Sequence, residues 1–172
     1  DATRRTGPRA EPNMASVYLG LNRNKRSIIL DLKTEPGRNA LLLLAERADV
    51  LLHNNRPQKL KALGLDPAAV LKRNPRIVYA CLHGFGEAGP YGGRPAYDDI
   101  IQGRSGLASL NGLATGSDGP RYVPTVMADK ITGHVLAGAI GMALYHRERT
   151  GRGQALHVPM LKESEFLGAI MI

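Results

Sequence analysis

Tryptophan is absent from the 172 residues, phenylalanine occurs twice, and aromatic residues make up only 5% of the chain. That scarcity argues against a nucleic-acid surface built on aromatic stacking, and the basic residues are scattered rather than gathered on one helix. There is a single cysteine, Cys81, inside the apolar run Ile77–Leu82. A disulfide framework and a cysteine-rich metal centre are therefore excluded, and a reducing compartment fits. No wholly apolar run approaches the ~20 residues of a membrane span, and the first residues show neither a signal peptide nor a transit pattern. The chain is expected to be cytoplasmic, with no membrane partner.

What is present is ordinary globular material, 43% hydrophobic and 22% charged residues, enough for one domain with a real core. The net charge of +8 calls for an anionic partner or for none at all, a solvated basic surface being the plain alternative. With nucleic acid disfavoured, the phosphates of a small molecule are the other candidate.

Strand and helix signals alternate. Ser27–Leu32 and Asp49–Asn54 read as buried strands, as do Ile77–Leu82 and Gln154–Met160. Between them, Thr34 is placed to cap a helix over 37–48, Gln58–Leu63 forms a short helix stopped by Gly64, and Asp66 with Pro67 opens another that runs to Asn74. Residues 1–10 read as extended, Ser16–Asn22 as a helical turn or short strand, Gly103–Gly119 as a Gly/Ser/Asn-rich connection, and Lys162–Ile172 as the start of a helix. Alternation of this kind predicts an α/β fold with a parallel sheet, whose ligands collect beyond the carboxyl ends of the strands. Three such ends carry polar residues: Lys33, then His53-Asn54-Asn55-Arg56, then the glycine-rich loop 83–95.

The organising stretch is Val126–Gln154. Ala128, Val135, Ala139, Met142 and Ala143 fall at helical steps with Gly133, Gly138 and Gly141 between them, which predicts a tightly packed helix ending at Gly151. Asp129 lies in its first turn, where the helix dipole favours an ionised carboxylate. An aspartate there is ordinarily only a cap, and position alone does not separate cap from nucleophile. Other motifs are weak. Gly84-Phe-Gly-Glu-Ala-Gly lacks the helix and the distant acid of a dinucleotide fingerprint. His83, His134, His146 and His157 lie in different elements, so sequence spacing supports no metal site. Ser105 and Ser109 have no nucleophile elbow.

Taken together, eight ordered blocks do match a known pattern. They are the segments 22–33 (Asn-Arg-Asn-Lys-Arg-Ser-Ile-Ile-Leu-Asp-Leu-Lys), 48–57, Leu63-Gly-Leu65, Asn74-Pro-Arg-Ile-Val-Tyr79, Gly84-Phe-Gly-Glu-Ala-Gly-Pro-Tyr91, Arg94-Pro-Ala-Tyr-Asp98, Ala128-Asp129 and Arg149-Thr-Gly-Arg-Gly-Gln154. Over nearly the whole chain this order closely resembles the family III CoA-transferases, the CaiB/BaiF family. The resemblance implies a Rossmann-like parallel sheet with flanking helices, part of that family's large domain and incomplete at both ends. It implies Asp129 as the nucleophile, attacking an acyl-CoA thioester and passing CoA to a carboxylic acid through aspartyl-anhydride and aspartyl-CoA intermediates. Coenzyme A contacts are implied at Leu30, Asp31, Leu32 and Lys33, at Asn54, Asn55 and Arg56, and at Pro95, Ala96, Tyr97 and Asp98, with no metal. An interlocked homodimer is implied for the full-length protein, without a nucleic-acid or membrane partner.

The chain departs from the family pattern at Asn55, where an aromatic is frequent, at Ala62, where a basic contact is frequent, and at Pro95, where some members have lysine. Arg56, Lys59, Lys61 and Arg94 are the cations available to substitute. α-Methylacyl-CoA racemases are similar almost to the same degree, but they pair the aspartate with a histidine as second base. Tyr97 stands in that place here, and a phenol is a poor base at neutral pH, which favours the transferase. A third reading is a CoA-binding fold without turnover, in which Asp129 is only a helix cap.

Overall fold

The structure is a computed structural model that describes residues 2–9 and 11–170, with side chains up to residue 165. It falls into two compact units, Asp1–Leu30 and Asp31–Ile172. In the first, Ala2–Arg5 forms a turn of 3₁₀ helix rather than extended chain, and α1 spans Ser16–Leu21. The Arg4 guanidinium lies 3.9 Å over the Tyr18 ring and donates to its phenol oxygen at 2.6 Å, which secures the turn to α1.

The strand expected over Ser27–Leu32 is not formed. Residues 27–31 carry no regular structure and have no ladder partner among the described residues, Leu32 already lies in a turn, and Ile28 and Ile29 are 66% and 96% exposed. A β-branched sequence is compatible with a strand, but a strand exists only where a neighbour accepts its backbone hydrogen bonds.

In the second unit, α2 (Glu35–Ala45) starts as its sequence dictates, with Thr34 Oγ1 accepting from Gly37 N–H at 3.2 Å. β1 (Val50–His53), α3 (Pro57–Ala62), α4 (Pro67–Arg73) and β2 (Val78–His83) follow. Asp66 caps α4 by accepting from the N–H groups of Ala68 and Ala69. α5 (Asp98–Arg104) comes next, then α6 (Leu107–Ala114) inside the stretch read as a connection, then α7 (Met127–Thr150), β3 (Gln154–Pro159) and α8 (Met160–Ile170). Met171 and Ile172, at the end of the predicted last helix, lie outside the described residues.

The three strands form one parallel sheet in the order β1-β2-β3. Side chains alternate across it. Ile77, Tyr79 and Cys81 face one side and pack with Leu60, Leu65 and Val70 of the α2–α4 layer; Ala80 and Val158 face the other and meet Leu136 of α7. Tyr79 buries its ring in the first layer and donates its O–H to the Leu65 carbonyl at 2.9 Å. The buried row of α7 is Ala128, Thr132, Leu136 and Ala143. Val135 and Met142, expected inside, are 40% and 70% exposed, and a side chain at Gly133, Gly138 or Gly141 would meet open space. Several periods fit a chain of small residues, and contact with the sheet selects one. Gly151 ends α7 in the left-handed region at φ 74°, and Arg147 in the last turn pairs with Asp49 beside β1 at 2.8 Å.

Candidate active site

Strand β2 ends in a turn that its sequence keeps thin. A Cβ at Gly84 would overlap the Cβ of Ala96, so only glycine lets the end of β2 lie against the 94–97 segment. The Gly84 carbonyl accepts from Leu161 N–H at 3.0 Å, which ties the same turn to α8. Phe85, Ile101, Ala128 and Met160 form the apolar floor under these connections.

Helix α7 begins without a side-chain cap of its own, since Val126 at the N-cap position has none to offer. Asp98, the first residue of α5, supplies the function from a distance. Its Oδ1 accepts from Asp129 N–H at 3.0 Å, and its Oδ2 accepts from Gln102 Nε2 at 2.6 Å. Gln102 is itself buried and holds the extended approach to α7, receiving Val123 N–H at 2.8 Å and donating to the Thr125 carbonyl at 3.1 Å. A buried carboxylate with both oxygens engaged in this way fixes the first turn of α7 and hence where Asp129 stands.

The Asp129 carboxylate, by contrast, takes no part in capping. It accepts no hydrogen bond and forms no ion pair among the described residues, and it lines a cavity of about 410 Å³ beyond the carboxyl ends of the strands. Its exposed surface faces that cavity, whose walls partly screen it from water. This desolvation, and secondarily the neighbouring Asp98 charge, raises its pKa above the ordinary aspartate range. The direction is opposite to the one expected from the helix dipole alone. Here the loss of water and a like charge outweigh the partial charge of the helix end.

The cavity gathers sites far apart in sequence. Asn54, Asn55 and Arg56 line it from the β1–α3 turn, Pro95, Ala96 and Tyr97 from the approach to α5, and Asp129 from α7. Asp98 lies beneath, committed to α7. Of the contacts implied at 30–33, Leu30 belongs to the first unit, and Asp31, Leu32 and Lys33 do not line the cavity. Those three form a turn into α2, in which Asp31 Oδ1 accepts from Lys33 N–H at 3.0 Å and the Asp31 carbonyl from Thr34 Oγ1 at 2.8 Å. Arg56, Lys59 and Arg94 supply the positive charge of the lining, and Asp129 is its one acid among the described residues. Lys61 lines a different recess, with His53 and Cys81. Gln102, His83 and Gly84 carried no separable signal in the sequence, because their roles depend on which segments they face.

A larger recess of about 810 Å³ follows the glycine-rich loop 86–91 and includes His157 and Glu163. It shares His83 and Phe85 with the first cavity but does not contain Asp129. On the sheet face opposite α7, the register sets His53 beside Cys81 and Cys81 beside His157. Cys81 Sγ, His83 and His157 place their ligand atoms within 4.8 Å of one another, and Cys81 Sγ lies 3.2 Å from His83 Nδ1. No spacing in the sequence could show this cluster, which arises from pairing between strands. Burial lowers the pKa of His83 and of His53 and pushes the Cys81 thiol up to about 11, with the Glu87 charge adding to the thiol's shift.

The described residues thus bring an unpaired carboxylate and three cations together beyond the strand ends of a parallel α/β sheet, the place where the ligands of such sheets collect. A family-wide sequence profile narrows the class: the chain belongs to CoA-transferase family III, whose profile matches residues 1–170. It is 39% identical over 149 residues to a Mycobacterium tuberculosis protein named "Probable fatty acyl-CoA transferase Rv3272", covering 87% of this chain and 37% of that protein. To acetyl-CoA:oxalate CoA-transferase of Acetobacter aceti it is 40% identical over 163 residues, covering 93% and 41%. The crystal structure of a CaiB/BaiF family protein from Brucella suis superposes with a TM-score of 0.90 at 34% identity, over 99% of this chain and 46% of that one. The chain therefore spans about two-fifths of the length of the curated relatives it matches.

Proposed function

We propose that the protein moves CoA from an acyl-CoA thioester to a carboxylic acid, with Asp129 as the nucleophile. The observation that carries this reading is the Asp129 carboxylate itself: unpaired, raised in basicity, and facing a cavity whose other charged groups are cations. A carboxylate oxygen attacks the thioester carbonyl, the C–S bond breaks, and the sulfur leaves as CoA thiolate, giving an acyl-aspartyl anhydride. The thiolate then attacks the aspartyl carbonyl, releasing the donor acid and leaving an aspartyl-CoA thioester. An acceptor carboxylate reverses the two steps and regenerates Asp129. No net oxidation occurs, and the thioester energy is retained.

Arg56, Lys59 and Arg94 suit the phosphates of CoA, and Asn54, Asn55, Pro95, Ala96 and Tyr97 supply further wall. Contacts from Leu30, Asp31, Leu32 and Lys33 rest on the family pattern alone. No helix among the described residues is long and apolar enough to cross a membrane. Within the full-length protein the chain is a portion of the large domain of an interlocked homodimer.

Mass spectrometry after incubation with a panel of acyl-CoAs tests the reading. A hydroxylamine-sensitive adduct on Asp129, absent in Asp129→Ala, is the expected result. Full-length protein that forms no adduct but admits solvent deuterium at the substrate α-carbon would overturn it in favour of a racemase.

A further inference from the structure

The geometry points to a second site: Cys81, His83 and His157 bind a thiophilic divalent cation, Zn²⁺, at the carboxyl ends of β2 and β3 on the sheet face opposite α7. The three ligand atoms lie within 4.8 Å of one another before any metal draws them together. Metal–sulfur and metal–nitrogen bonds of about 2.3 and 2.0–2.1 Å around a tetrahedral ion set ligand separations of roughly 3.5 Å. Cys81 Sγ and His83 Nδ1, at 3.2 Å, are already near that separation. The His83 and His157 ring centroids are 6.1 Å apart, with the rings inclined at 73° rather than stacked, so both rings can present a nitrogen to one point between them.

The backbone under the cluster is rigid. Cys81 and His157 are directly paired in the parallel ladder, and His83 follows Cys81 by two residues, on the same side of the same strand. Pre-positioning on adjacent strands means that side-chain rotation alone closes the site. One sulfur and two imidazole nitrogens form a borderline-soft donor set, suited to Zn²⁺ and unsuited to Mg²⁺ or Ca²⁺. Cys81 is buried while His157 is exposed, which gives the ion a path in. Glu87 lines the recess on each side of the cluster and, with water, is available for the fourth position. Binding exchanges the Cys81 thiol proton for the metal, and that proton leaves to solvent.

Because His83 also lines the Asp129 cavity, the ion would fix one wall residue of the candidate active site. The inference does not depend on the transferase reading, and its readouts are spectroscopic and thermodynamic.

The test titrates the 172-residue chain, freed of metal, with Co²⁺ as an optical probe and then with Zn²⁺. Tetrahedral ligand-field bands with a sulfur-to-cobalt charge-transfer band, lost on addition of one equivalent of Zn²⁺, are expected. Cys81→Ser should remove the charge-transfer band. His157→Asn changes an exposed strand position, so it should fold normally and lower metal affinity on the order of tenfold or more. His134→Asn, on the exposed side of α7, should bind as the parent does. A folded parent with no thiolate band, or Zn²⁺ affinity unchanged in both Cys81→Ser and His157→Asn, would overturn the site and leave a hydrogen-bonded Cys81–His83 pair.

Discussion

The backbone N–H of Asp129 donates to the carboxylate of Asp98 at 3.0 Å, across 31 residues of sequence. One aspartate thus ends the unsatisfied first turn of α7 so that another, left without a partner, can face the cavity. Asp98 is a positioning residue in this arrangement, and Gln102 extends its hold to the segment before α7 at Val123 and Thr125.

Removing Asp98 tests that division of labour. Asp98→Ala strips the distal cap from α7 and removes the shortest of the Gln102 Nε2 contacts, leaving those to the Val123 and Thr125 carbonyls, which should cost ~1–2 kcal/mol in thermal or denaturant unfolding. Adduct formation at Asp129 should fall as well, because the first turn of α7 is no longer fixed. Full stability in this variant would count against the relationship.

Asp129 itself should behave differently. Its folded-state pKa is raised by desolvation and by Asp98, so the folded chain holds the proton more tightly than the unfolded chain. Ionising Asp129 therefore lowers stability: the penalty is absent below the ordinary aspartate pKa, grows as pH rises through the folded-state value, and is complete above it. Asp129→Asn should unfold no more easily than the parent at pH 7, while forming no adduct. Melting curves from pH 7 down through the aspartate range should show any advantage of the variant shrinking.

The cations around the cavity predict a graded loss of ligand. Arg56→Ala or Arg94→Ala should weaken CoA binding on the order of tenfold, as expected for loss of a charge-assisted bond, measured by calorimetry at fixed ionic strength. Lys61→Ala, which alters a residue of a different recess, should leave the affinity within twofold or so of the parent. Equal effects at all three positions would point to diffuse attraction rather than a site.

Gly84 sets how closely β2 approaches the 94–97 segment. Gly84→Ala forces its Cβ onto Ala96 and should cost about 1–3 kcal/mol by overpacking. Because Ala96 and Tyr97 line the cavity, CoA affinity should fall together with the unfolding midpoint.

Much of this was legible in the residues because it is local. Thr34 and Asp66 cap helices through their own neighbouring N–H groups, Gly151 takes the left-handed turn that other residues resist, and short, largely apolar runs mark β1, β2 and β3. The ordered motifs carry the family resemblance along the chain itself, and with it the resemblance of Asp129 to the family's nucleophile. What only the tertiary structure decided is whatever depends on a distant partner. Ser27–Leu32 has a strand's composition but no ladder among the described residues. The row of α7 that is buried was chosen by the sheet, Leu136 rather than Val135. The raised basicity of Asp129 comes from cavity walls and from Asp98, where local helix position alone argued the reverse. Cys81, His83 and His157 meet through strand register, which no spacing along the chain encodes. Capping and turn chemistry act over three or four residues and so are written in the sequence, whereas desolvation, like-charge proximity and ladder pairing act through space and exist only once the chain has folded.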